Sequence, residues 1–231
     1  MSELPVVEMS ADAADGGFSA PDATRVHGLL LAAGTSSRFG ERNKLLATVD
    51  GEPVVCHAAR SLLAANVDAI TVVLGYEHER VRDALADLVE ETALSGSSTP
   101  SVRFVRAPDH ARGQSRSLRR GIDSIQDSDP TADAVVIALG DMPDVSSATV
   151  DRLIAAYAAG TGTALAAAYD GQRGNPVLFD ATHFHALTET GGDTGGRSVL
   201  LTADDAALVE TGDPGVVRDV DRPEDLPEDG E

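Results

Sequence analysis

Residues 28–33 read Gly-Leu-Leu-Leu-Ala-Ala, a run with no polar side chain on either alternating face. A strand of this kind is buried on both faces, the condition met when helices cover a parallel sheet from both sides. The run stops at Gly34, and Thr35, Ser36 and Ser37 follow, so the chain turns there. Glycine admits φ > 0, and without a side chain it lets an anion approach peptide N–H groups that the hydroxyls can supplement. Arg38 and Lys44 then add positive charge, giving a phosphate grip. It is neither of the two commonest kinds. A Walker loop would place glycine and lysine at positions 39 and 40, which hold Phe and Gly, and a dinucleotide fingerprint would place glycine at 36, which is serine. Arginine supplies 17 of the 18 basic residues, and the sole lysine is Lys44. A compact point charge has been kept where it suits a phosphate.

Downstream, short apolar runs alternate with helical patterns. Strands are predicted at 26–32, 69–74, 102–105, 134–139 and 164–169, with helices near 53–65, 77–88, 115–125 and 146–159. This order predicts an α/β fold, a Rossmann-like three-layer α/β/α sandwich with a mostly parallel central sheet. Pro53 can occupy a first helical turn, and Ser146 or Ser147 can cap the last of these helices. Residues 94–101 read as a surface loop. Residues 1–24, acidic and without sustained periodicity, read as a disordered leader. A single domain over 25–226 and an acidic tail at 227–231 follow.

The net charge of −20 would repel nucleic acid and anionic membranes over most of the surface. The acidity and near-absence of lysine suggest a solvated surface suited to high salt, as in halophilic proteins. One cysteine, Cys56, permits no internal disulfide and suits a reducing compartment. No apolar run approaches the roughly 20 residues needed to span a bilayer, and a cytoplasmic location is expected.

In open parallel sheets, ligands bind at the carboxyl ends of the strands. Those ends supply the Gly34 loop, Gly75, residues 107–114 and residues 140–143. Asp141, in Gly140-Asp141-Met142-Pro143, places a carboxylate directly after a buried run. Magnesium is typically held through one or two carboxylates plus substrate phosphates, so such an Asp can supply part of its shell. Four arginines between 112 and 120 create a local positive field at a helix start.

Together these segments carry a resemblance. Leu31-Ala32-Ala33-Gly34-Thr35-Ser36-Ser37-Arg38-Phe39-Gly40 with Lys44 resembles the signature of the molybdenum-cofactor nucleotidyltransferases, especially the CTP:molybdopterin cytidylyltransferases. Gly140-Asp141-Met142-Pro143 is similar to that family's metal-binding motif. Asp219-Val220-Asp221-Arg222-Pro223-Glu224-Asp225 looks like its closing Asp-Ile-Asp-Thr-Pro-Glu-Asp, with Arg222 in place of Thr. Gly174-Asn175-Pro176-Val177 resembles Gly-His-Pro-Val, and residues 191–197 resemble a Gly-Asp-x-Gly-Ala-Arg loop.

The resemblance implies transfer of an NMP from an NTP to a phosphorylated acceptor with release of pyrophosphate. Arg38, Lys44 and Asp141 would be catalytic. Leu31, Ala32, Ala33, Gly34, Ser36, Ser37, Arg38, Lys44, Gly75 and Gly140 would bind nucleotide, with Gly113, Gln114 and Ser117 against its base. Mg²⁺ would rest on Asp141 and Asp221, with Asp219 the competing ligand; on a strand the two would face opposite ways. Asn175, Pro176, Asp193 and Arg197 would meet the acceptor. CTP and molybdopterin are favoured partners, with a transient contact to a molybdoenzyme or its chaperone. GTP, another small phosphorylated acceptor, or a non-catalytic nucleotide-binding chaperone are the alternatives.

Overall fold

The computed structural model describes residues 4–8, 24–40, 42–94, 99–192 and 195–226. Ten strands occur among them: β1 (Val6–Glu8), β2 (Val26–Ala32), β3 (Thr48–Val49), β4 (Glu52–Pro53), β5 (Ala69–Leu74), β6 (Ser101–Arg106), β7 (Ala134–Leu139), β8 (Ala164–Tyr169), β9 (Gln172–Asp180) and β10 (Ala206–Glu210). The α-helices are α1 (Val54–Leu63), α2 (His78–Leu94), α3 (Gln114–Ser128), α4 (Ser147–Ala158), α5 (Phe184–Glu189) and α6 (Arg197–Thr202). Eight strands form one sheet in the order β1-β10-β8-β9-β7-β2-β5-β6, and β3 and β4 make a separate hairpin. Every pairing in the large sheet is parallel except those of β9, which runs antiparallel to β7 and β8.

All seven residues of β2 are buried, as its unbroken apolar run requires. One hydrophobic cluster joins one sheet face to α1, α2 and α4, and a second joins the opposite face to α3, α5 and α6. The three-layer expectation is therefore met. Apolar side chains repeat along α3 as Leu118, Ile122 and Ile125, one stripe turned to the sheet.

Four of the five predicted strands have the predicted limits, and 102–105 gains one residue at each end. Pro53 lies just before α1, in β4, rather than in the first helical turn. Ser146 is the N-cap of α4, its side chain accepting a hydrogen bond from the Thr149 N–H. The leader reading fails at its start, since Val6–Glu8 adds a parallel edge strand to β10 and Leu208 N–H donates to the Pro5 carbonyl. Residues 9–23 and 227–231 lie outside the described residues. So do residues 95–98 of the predicted 94–101 loop, whose first residue ends α2 and whose last begins β6. No helix among the described residues is long and apolar enough to cross a membrane.

Candidate active site

β2 delivers the chain to the carboxyl edge of the sheet at Ala33, and the following loop folds back on itself. Ser36 takes a positive φ of 54° and is buried, and its carbonyl accepts from the Phe39 N–H at 2.9 Å. Phe39 packs with Val49, Val54 and Val220, which anchors the loop to the small hairpin and to the C-terminal segment. Asn43, also buried, accepts from the Leu45 N–H at 3.0 Å and from the Ser36 hydroxyl at 3.2 Å. Its amide donates to the Tyr76 carbonyl at 3.3 Å, so the turn after β5 is tied to the turn after β2.

This scaffold presents Lys44, whose own N–H donates to the Ser36 hydroxyl at 3.1 Å. The residue is only 8% exposed, and its ammonium donates to Asp141 Oδ2 at 2.7 Å and to Asp221 Oδ1 at 3.4 Å. Burial opposes the charge on Lys44, but the two carboxylates outweigh it and raise its proton affinity above the usual range. Arg38 reaches the other oxygen of Asp221 at 2.6 Å while remaining largely exposed. That hydrogen bond is the main cause holding the Asp221 carboxyl below its ordinary value.

Asp141 stands two residues beyond the end of β7, after Gly140, whose N–H donates to the Leu31 carbonyl at 3.0 Å. The Asp141 carbonyl accepts from the Val220 N–H at 2.8 Å, which brings the C-terminal segment to the strand end. That segment pairs into no strand, although Arg218 and Arg222 on either side of it are extended. Both acids lie near Asp141. Asp219 stays exposed as a residue, yet burial of its carboxyl, followed by the Asp141 charge, raises its proton affinity despite Lys44. Crowded carboxylates of this kind suit a divalent cation, because hard oxygen donors gain from it what they lose to mutual repulsion. Among the described residues no three acidic, histidine or cysteine side chains already form a cage, so substrate oxygens would have to complete the shell.

Lys44 and Asp141 stand at a cavity of about 440 Å³. Of the sequence-predicted residues it gathers Leu31, Ala33, Gly34, Arg38, Lys44 and Asp141 from the β2 and β7 ends. Gly113, Gln114 and Ser117 come to its far wall from the start of α3. Gly113 turns there with φ of 116°, which favours glycine. Ala32, Ser36, Ser37, Gly75 and Gly140 are not in the lining. Ser36 acts within the loop, and at Gly75 a Cβ would fall 2.5 Å from the Ala33 carbonyl and 2.7 Å from the His110 ring. Thr35 of the expected hydroxyls and His110 and Ala111 of the expected 107–114 stretch also line the cavity, with Leu45 and Leu139, which the sequence did not single out for the site.

A second cavity of about 350 Å³ shares Leu31, Gln114 and Leu139 with the first. Asn175 and Arg197, two of the residues assigned to the acceptor, line it, and so does Arg173, which the sequence reading passed over. Pro176 is buried outside the lining, and Asp193 lies outside the described residues.

A mostly parallel sheet with a loop, a cation and carboxylates gathered at its strand ends defines a nucleotide-handling α/β enzyme. Residues 28–207 match the MobA-like NTP transferase domain, and the chain belongs to that family. It is a nucleotidyltransferase. It is 28% identical over 200 residues to the purine catabolism protein PucB of Bacillus subtilis (strain 168), covering 86% of this chain and 92% of PucB. Rv0371c from Mycobacterium tuberculosis H37Rv superposes with a TM-score of 0.70 at 27% identity, covering 88% of this chain and 95% of that one. In its complex with manganese the TM-score is 0.67 at 26% identity, covering 87% and 96%. A nucleotidyl transferase from Methanothermobacter thermautotroptrophicus, Mth528, superposes at a TM-score of 0.67 with 25% identity, covering 87% and 94%.

Proposed function

We propose that the chain transfers the NMP moiety of an NTP, with CTP favoured, to the phosphate of molybdopterin. The observation that carries the reading is the placing of the buried Lys44 between Asp141 and Asp221 at the mouth of the Gly34-loop cavity. An ammonium held there can follow the triphosphate, while Arg38 closes the exposed side. Gln114 and Ser117 on the far wall would meet the base. CTP and molybdopterin are supported by the likeness of the Gly34 loop and of the residues around Asp141 to the cytidylyltransferase motifs.

The acceptor phosphate is already ionised and needs no general base. One of its oxygens attacks the α-phosphorus, a new P–O bond forms, and the bond to the β-phosphate oxygen breaks with its electron pair leaving on pyrophosphate. Rate then comes from in-line positioning and charge neutralisation by Lys44 and Arg38. Asp141 and Asp221 would hold Mg²⁺, with Asp219 beside them, and such an ion supplies further neutralisation of phosphate charge when bound. The manganese complex of Rv0371c supports a divalent site in this fold.

Lys44→Ala is expected to lower turnover by roughly 10²- to 10³-fold, the scale of removing one preorganised charge-stabilising donor. Pyrophosphate release, followed with CTP or GTP, with and without molybdopterin and Mg²⁺, is the measurement. Near-normal turnover in the variant would remove Lys44 from its assigned role. Release with GTP rather than CTP would reassign the base, and release dependent on another phosphorylated acceptor would replace molybdopterin.

A further inference from the structure

The 350 Å³ cavity beside the nucleotide cavity is lined by apolar side chains, among them Leu118, Ile137, Val177 and Leu200, and by two guanidiniums, Arg173 and Arg197. In a chain carrying 38 acidic residues, no Asp or Glu among the described residues lines it. Neither arginine has an ion-pair partner among the described residues, whereas the cations of the neighbouring cavity, Arg38 and Lys44, are each bound to a carboxylate. Arg173 is half-buried, and that burial, together with the charge of Arg197, lowers its proton affinity. Two like charges facing one cavity, with no acidic side chain among the described residues lining it, repel each other, and an entering anion relieves that repulsion.

The fold brings them there by an identifiable route. Because β9 is antiparallel, its first residues lie at the carboxyl ends of the parallel strands, where the nucleotide cavity opens. Its pairing with β8 is irregular between Ala166 and Ala168, opposite the stretch from Arg173 to Val177. Bulges re-aim side chains next to sites. At Gly174 a Cβ would fall 2.0 Å from the Val216 carbonyl, so the backbone beside Arg173 is pinned against the C-terminal segment. Arg197 follows Gly195, which has φ of 50° and packs on Gln114 of the nucleotide cavity.

We propose that Arg173 and Arg197 form a two-guanidinium subsite that takes the dianionic phosphate monoester of the acceptor, with the apolar wall seating an aryl-like or otherwise apolar body. The inference rests on the reading of the chain as a transferase to a phosphorylated acceptor and adds Arg173 as a specificity-determining residue. Planar guanidiniums bind phosphate oxygens bidentately and select phosphate by geometry as well as charge. With some oxygens held, another stays free to attack the α-phosphorus.

The test is calorimetric titration of the full chain with phenyl phosphate, with benzenesulfonate as the monoanionic control, and separately with CTP. Arg173→Gln and Arg197→Gln are each expected to weaken phenyl phosphate by about tenfold or more while CTP affinity is unchanged. Arg173→Lys, which keeps the charge and loses the fork, is expected to fall between wild type and Arg173→Gln and serves as the variant least disturbing to folding. The proposal is overturned if wild type does not bind phenyl phosphate, if benzenesulfonate binds as tightly, or if the glutamine variants bind phenyl phosphate as wild type does. It is also overturned if CTP affinity falls in parallel, since the pair would then serve the triphosphate. Intact phenyl phosphate binding with no pyrophosphate release from any NTP would instead defeat the transfer reading and leave the subsite standing.

Discussion

Asn43 holds the turn that presents Lys44. Its side chain accepts from Ser36 and from Leu45 and donates to the Tyr76 carbonyl, joining three segments through one buried amide. Removing it leaves the buried Ser36 hydroxyl without its acceptor and the buried Leu45 N–H without its partner, and an orphaned buried group costs about 1–3 kcal/mol. Asn43→Ala is therefore expected to lose about 2 kcal/mol in urea unfolding and to lower turnover as Lys44 loses its seat. A loss under about 0.5 kcal/mol would show that water takes over these bonds. Lys44 was legible in the sequence because it is the sole lysine. Asn43 was not, because two of its three partners stand 7 residues before it and 33 after it. Arg173 was hidden for the same reason: it is one arginine among 17 until β9 turns it into a cavity.

At the scale of elements, the N-terminus of α4 is held by an acid outside the helix. Asp213 accepts from the Ser146 N–H at 2.9 Å, the Ser146 hydroxyl at 3.0 Å and the Thr149 hydroxyl at 2.7 Å, and from the Gly215 N–H at 2.9 Å. Burial pushes its proton affinity up, but these bonds outweigh burial and hold the carboxyl below its ordinary value. A depressed folded value gives stability that is fully present above the unfolded Asp value of about 3.9 and lost as pH falls through the folded one. Wild type should exceed Asp213→Asn in urea midpoint at neutral pH, and the gap should close as the pH is taken below about 4. A gap unchanged down to pH about 3 would mean that the carboxylate charge is not what clamps the helix. Strands buried on both faces, such as β2, were readable because their apolar run needs no partner to declare itself. β9 was not, since Gly174 and Pro176 suit a turn as well as a strand, and β1 could not be, since its pairing among the described residues is with β10 some 200 residues away.

Over the whole molecule, 38 acidic groups face 18 basic ones; Arg38, Lys44, Arg173 and Arg197 line the two cavities, and others such as Arg60 and Arg80 pair with surface carboxylates. Self-repulsion of the surface should then be the leading long-range electrostatic term, opposing the compact state. Screening acts on it directly, because the Debye length falls from about 10 Å at 0.1 M salt to about 3 Å at 1 M. Exposed pairs such as Arg38–Asp221 lose attraction under the same conditions, but water already screens them and leaves little attraction to lose. The half-buried Lys44–Asp141 pair is screened less. Repulsion summed over 20 excess negative charges outweighs these few contacts. Raising KCl from about 0.1 to 1 M is therefore expected to lift the thermal midpoint, by roughly 4–8 °C for a gain of about 2 kcal/mol. Chloride is the salt to use, because sulfate strengthens apolar burial in any protein and would raise the midpoint for an unrelated reason. A flat or falling midpoint in KCl would show that local pairs and not net charge set the salt response.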